Sequence, residues 1–148
     1  MENCNCMAGI VRVEIVPSWS IERLRRAGGQ ASVELATGEV WTPIPCEKAQ
    51  YSETAGSGDA KIRTLTCTLS ITQGSNTLRD IETMTEERYV ARVTDGRGVK
   101  WIVGDDQEPL RLSWSRTNEG EADGRDEVVL TFSSEGRWGA MELRPVSG

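Results

Sequence analysis

Four cysteines, Cys4, Cys6, Cys46 and Cys67, are the side chains of this sequence best suited to metal or redox chemistry, and no histidine accompanies them. Cys4-x-Cys6 offers half of a four-thiolate zinc site, with Cys46 and Cys67 as the other half. Structural zinc sites draw on C-x₂₋₄-C pairs, which Cys46 and Cys67 do not form, so no metal ligand is assigned. The thiols are read as reduced, and Cys67 as a small buried hydrophobe. Lack of histidine removes Ser-His-Asp and Cys-His catalysis, His-ligated zinc or haem, and the usual general base near neutral pH.

The remaining candidates for chemistry are weak on their spacing. Glu119-x-Glu121-x-Asp123-Gly124 matches the first half of an EF-hand loop, but the twelfth position is Leu130 where a bidentate Glu is required. It is read as an acidic, solvated hairpin loop. Gly104-Asp105-Asp106 and Gly96-x-Gly98 do not join a strand to a helix, so they are read as turns and not as phosphate cradles. No carboxylate pair is placed as an acid and a base. No catalytic, cofactor-binding or metal-ligating residue follows, and a non-enzymatic protein is expected. Five tryptophans against one phenylalanine is an unusual balance. Trp101 and Trp114 share strand parities with apolar residues and read as core. Trp41 lies near prolines and Trp138 is followed by glycine, so both read as protein-interface candidates.

A chain of 148 residues suits one domain over 1–148, with 1–8 as a flexible N-terminus. A net charge of −6 argues against nucleic-acid binding by phosphate neutralisation. MENCNCMAGI lacks a basic segment followed by an apolar one, and no apolar run reaches the ~20 residues of a membrane-spanning helix. A soluble, cytoplasmic protein without membrane contact is expected.

The elements that position these residues are mainly strands. Residues 61–72 are the clearest: Leu65, Cys67, Leu69 and Ile71 take one parity, and Thr64, Thr66, Thr68, Ser70 and Thr72 the other. That is a strand with one buried and one hydroxyl-lined face. At ~3.3 Å per residue it would span about 40 Å, so part of it is expected to project as an arm. Residues 10–16 read as a strand ended by Pro17, 18–27 as a short helical turn, and Gly28-Gly29 as a break. Residues 31–36 and 39–45 read as a hairpin around Thr37-Gly38, with Pro43 and Pro45 marking an edge. Residues 47–60 read as a mobile loop.

Residues 77–87 read as the one helix, with a Leu78, Ile81, Met84 stripe and a cap at Asn76 or Thr77. Residues 88–94 and 99–103 flank Asp95-Gly-Arg-Gly98 as a hairpin, with apolar groups on both parities that predict cover on both faces. Leu110, Leu112 and Trp114, then Val128, Leu130 and Phe132, mark two further strands around the polar loop 117–126. The tail after Gly136 supplies one short edge strand. The expected class is an antiparallel β-sandwich or partly open barrel with one flanking helix.

That order of hairpin, Gly/Ser-rich loop, long strand, single helix and further strands resembles the tail-tube-type fold of bacteriophage tails and related contractile machines. Tyr89-Val-Ala-Arg-Val-Thr-Asp-Gly96, Trp101-Ile-Val-Gly104 and Pro109-Leu-Arg-Leu112 also resemble small structural proteins of Bacteroides-type prophages. The resemblance implies a virion structural subunit, tail-tube-like or a tail-completion protein, assembling into rings or tubes with other tail proteins. It implies residence in the bacterial cytoplasm during assembly and then in the virion tail, with no cofactor, no catalytic residues and no sequence-specific nucleic-acid contact. Residues 39–72 would match the family's hairpin and loop, with an arm over 47–66 ordering against a neighbour. The implied interface is Trp41, Tyr51, Ser52, Glu53, Thr54, Lys61, Arg63 and Trp138. The alternative from another class is a monomeric β-sandwich binding module using Trp41 or Trp138.

Overall fold

The period-two pattern of residues 61–72 becomes a strand over Lys61–Ser70 in the computed structural model, which describes residues 7–70, 77–118, 120 and 126–144. The elements are β1 (Ile10–Pro17), a 3₁₀ turn (Ser18–Ser20), β2 (Ile21–Ala27), β3 (Gln30–Leu35), β4 (Thr42–Ile44), β5 (Lys48–Ala55) and β6 (Lys61–Ser70). They continue with α1 (Thr77–Met84), β7 (Arg88–Asp95), β8 (Lys100–Val103), β9 (Leu110–Asn118), β10 (Asp126–Gly136) and β11 (Met141–Leu143). The protein is mainly β, an open mixed sheet with one short helix. No helix among the described residues is long and apolar enough to cross a membrane.

Strand order is β2-β3-β11-β8-β7-β9-β10-β6-β5, with β1 on the other side of β7 and β4 outside β1. The corner is β7. Its Ala91–Thr94 pair with β8, whereas Arg88 and Tyr89 pair with β9, and β1 runs along the opposite side throughout. The sheet folds there, so that Val13 and Ile15 of β1 meet Leu65 and Cys67 of β6 and Leu130 and Phe132 of β10 in one core. Tyr89 and Phe132 pack edge to face within it, ring centroids 6.0 Å apart. Ile81 of α1 is buried in the same core, and Met84 packs against it. A second cluster, Val16, Ile21, Ala31, Val90 and Ile102, covers the other face of β7 and β8, as their two apolar parities require.

Several expectations are corrected. Residues 18–27 hold a 3₁₀ turn followed by β2, which pairs with β3 across Gly28-Gly29. Both glycines have positive φ, 61° and 79°, the requirement of a type I′ hairpin turn. The helix-like spacing of Ile21 and Leu24 arises from a register shift between Ile21 and Arg23, which brings both onto the face of Leu35 and Val33. Thr37-Gly38 therefore does not join a hairpin: β4 pairs with β1, with Pro43 on the edge opposite Glu14.

Residues 47–60 are not a loop, because Lys48–Ala55 pair with β6 from Lys48↔Thr68 to Ala55↔Lys61. Only 56–60 turn, closed by Gly56 N donating to Ala60 O at 2.9 Å. Nor does β6 project, since β10 pairs with it from Glu127↔Ser70 to Gly136↔Lys61. Ile71 and Thr72 lie outside the described residues, as do Asn76, Glu119 and 121–125. β11 is internal, parallel to β3 and antiparallel to β8, where an edge strand was expected. The helix ends at Met84, short of residue 87. Ala8, assigned to a flexible terminus, donates its N–H to the buried Asp95 carboxylate at 3.2 Å.

Candidate functional site

The layer β9-β10-β6-β5 carries most of the residues expected at an interface. Within it β5 is an outer strand with no partner beyond it among the described residues. Its Ser52–Ala55 are all exposed, while Ala49 and Tyr51 are half-buried. The Gly56–Ala60 hydrogen bond and the unshifted register fix which backbone groups point where. Residues 48, 50, 52 and 54 exchange bonds with β6, leaving the N–H and C=O of Ala49, Tyr51, Glu53 and Ala55 directed outward. The other side of the layer is also open: β9 pairs with β7 only at Leu110 and Arg111. From Ser113 to Asn118 it is exposed.

Trp114, expected in the core, is 37% exposed on that second edge. Its parity with Leu110 and Leu112 is correct, but β7 no longer flanks β9 at that point. The sequence carries a signal of this. The apolar alternation stops at Trp114, and the following Ser115-Arg116-Thr117-Asn118 has none.

Of the predicted residues, Tyr51, Glu53, Arg63 and Trp138 are brought together. Tyr51 Oη donates to Glu53 Oε1 at 2.8 Å, and the Ala140 N–H donates to the same carboxylate oxygen at 2.7 Å. Burial first, and then the Glu53 carboxylate, push the Tyr51 phenol far above its ordinary pKa, so it stays a donor. Arg63 is fully buried and cannot contact a neighbouring subunit, contrary to the expectation. The signal was present in its parity, which is that of Leu65 and Cys67. Its guanidinium donates to Trp138 O at 2.9 Å, Glu108 O at 2.8 Å and Ser134 Oγ at 2.5 Å. Gly136 lies against that guanidinium, where a β-carbon would collide with it.

Trp138 is a surface plate on this buried hub. Its ring lies 4.9 Å from the Arg26 guanidinium and 5.5 Å from that of Arg137, and it is 36% exposed. Arg26 also pairs with the buried Asp105 carboxylate at 2.8 Å. Asp105 in turn accepts from the N–H groups of Gln107 and Glu108. Arg26, Asp105, Glu108, Arg63 and Trp138 thus form one connected network that fixes residues 105–108 and 136–140.

Ser52, Thr54 and Lys61 lie elsewhere on the same hairpin. Ser52 pairs with Thr64 on the hydroxyl-lined outer face, and Ala55 with Lys61 beside the turn. Trp41 belongs to a different place altogether, a groove of about 370 Å³ lined also by Val33, Arg92, Lys100, Leu143 and Arg144. The Arg92 guanidinium sits 4.7 Å from the Trp41 ring and gives two hydrogen bonds of 3.0 Å to Glu14. Burial alone would raise the Glu14 pKa; the hydrogen bonds and charge of Arg92, with Arg12 and Lys100, outweigh it and hold the carboxyl below its ordinary value. Among the described residues no group of three or more His, Cys, Asp or Glu side chains is placed to hold a metal ion. Cys4 and Cys6 lie outside the described residues. Compared with protein-family models, curated proteins and solved structures, the chain finds no match.

Proposed function

We propose that this chain is a non-enzymatic structural subunit that polymerises edge to edge, as a tail-tube-like or tail-completion protein of a phage-like tail would. The observation that carries the reading is the layer β9-β10-β6-β5, which has on each side a strand edge without a hydrogen-bonded partner among the described residues, open at Ser52–Ala55 of β5 and at Ser113–Asn118 of β9. Its strands alternate in direction and number four, so β5 and β9 run oppositely. A copy's β5 can then lie beside the next copy's β9 and continue the antiparallel pattern. Such a contact is head-to-tail, which closes rings or propagates tubes. Backbone pairing supplies affinity, while the exposed Trp114 and Ser52–Ala55 supply side-chain contacts. Its other partners are virion tail proteins, met in the bacterial cytoplasm during assembly.

Ala55→Pro tests this. It removes one outward N–H without touching the bonds to β6. Wild-type protein is expected to form rings or tubes in negative-stain electron micrographs, and the variant to stay monomeric with an unchanged circular dichroism spectrum. A wild type that remains monomeric at high concentration, or a variant that assembles normally, defeats the reading.

The groove at Trp41 favours a second reading, a monomeric binding module. Lys100 and Arg144 stand beside the aromatic wall and outnumber Glu142 in the lining, while Arg92 is held by Glu14; the balance suits an anionic group on a ligand. That reading requires a saturable change in tryptophan fluorescence, lost in Trp41→Phe, from a protein that never assembles.

A further inference from the structure

Cys46 and Cys67 are nucleophilic groups with no part in the edge-to-edge contact or in the groove at Trp41. Cys46 lies in the short connection between β4 and β5, half-buried, and Cys67 lies buried in β6. The backbone holds them close. Cys46 N donates to Ile44 O at 2.8 Å, and the next residue, Glu47, donates its N–H to Thr68 O at 2.8 Å, beside Cys67. Cys46 packs against the core cluster that contains Cys67, and it lies three residues before Ala49, the strand partner of Cys67. One sulfur is thus reachable from solvent and the other is behind it, the arrangement of an attacking and a resolving thiol.

We propose that Cys46 and Cys67 form a thiol–disulfide exchange site that reacts with small disulfides of the glutathione class and closes reversibly into a Cys46–Cys67 bond. The Cys46 thiolate attacks one sulfur of the oxidised disulfide, forming a mixed disulfide and expelling one small thiolate, which takes up a proton. Cys67 then loses its proton and attacks Cys46 Sγ, expelling the second small thiol. The two protein thiols are oxidised to one disulfide, and one small disulfide is reduced to two thiols.

The roles follow from the environment. The interaction with Cys67 lowers the Cys46 pKa against the opposing effect of burial, which favours its thiolate. The same interaction, and then burial, push Cys67 well above the ordinary thiol value, which keeps it silent until Cys46 has reacted. The product would tie the β4–β5 connection to the central strand of its layer, at the root of the free edge. This inference does not rest on the assembly reading.

The test is oxidised glutathione added to the reduced protein carrying Cys4→Ser and Cys6→Ser, followed by peptide mapping without reduction. The expected product is a cross-link between the tryptic peptides 27–48 and 64–79, with both thiols lost to maleimide labelling and a raised melting temperature. Adding Cys67→Ser should instead trap a stable glutathione adduct on Cys46, and adding Cys46→Ser should leave Cys67 unmodified. The unsubstituted chain, mapped the same way, gives the same cross-link if the variants fold poorly. No cross-link in excess oxidised glutathione, disulfides formed only between chains, or stoichiometric zinc protecting both thiols would each overturn the proposal.

Discussion

Arg63 and Asp95 are fully buried charges, each bonded to groups far away along the chain. Replacing Arg63 with Ala leaves the Trp138 and Glu108 carbonyls without their donor inside the protein, at a cost of about 2–4 kcal/mol. Urea unfolding should show it as a lower midpoint, and Arg63→Lys should recover little because an ammonium lacks the planar fork. Asp95 accepts from Trp101 Nε1 at 3.1 Å, from the N–H groups of Ala8, Arg97 and Val99, and from the Arg97 guanidinium. Burial alone would raise its pKa; those donors outweigh burial and hold it well below the 3.8 of a free carboxyl. A depressed folded-state value stabilises the fold fully above about pH 4, and the contribution is lost as pH falls through that lower value. Melting temperature should therefore fall on acidification below pH 4. Asp95→Asn should melt lower than wild type at neutral pH and show a flatter acid dependence.

At the scale of elements, the strands paired on both sides were legible in the sequence. β6 and β10 each have a partner on either side and one face in the core, so period two survives along them. The hairpin of β7 and β8 was legible for a different reason, apolar groups on both parities that two clusters cover, together with the glycine of positive φ at 98. β5 was not, because an edge strand buries so little that Ala49 and Tyr51 are the sole trace of its inner face. β2 was masked by its bulge, which put two core residues three apart and imitated a helix. The β2–β3 turn tests that account. Gly29→Ala, at φ 79°, should cost about 1–2 kcal/mol by chemical denaturation. Leu65→Ala, at a site with no exposure, should cost about 3–5 kcal/mol. Of the candidate interface, only the β6 strand was read correctly: its partner β5 was taken for a loop, and Arg63 was assigned by proximity in sequence when its parity already placed it inside. Trp114 was missed because alternation reports a face and says nothing of where the neighbouring strand stops.

For the whole molecule, the proposed assembly requires that the open stretch of β5 pair with the open stretch of β9 on the next copy. Ala55→Pro blocks the β5 edge, and Arg116→Pro, by the same alternation of backbone direction, blocks the β9 edge. Neither variant should assemble alone beyond monomers, because each retains one edge of a head-to-tail pair. The most direct measurement is sedimentation velocity of the two variants separately and mixed in equal amounts. The account predicts monomers in each separate sample and a one-to-one dimer that stops growing in the mixture. Dimers of Arg116→Pro alone would mean that β5 pairs with β5, and a mixture that stays monomeric would mean that the edges do not recognise each other. Either result contradicts the proposed assembly.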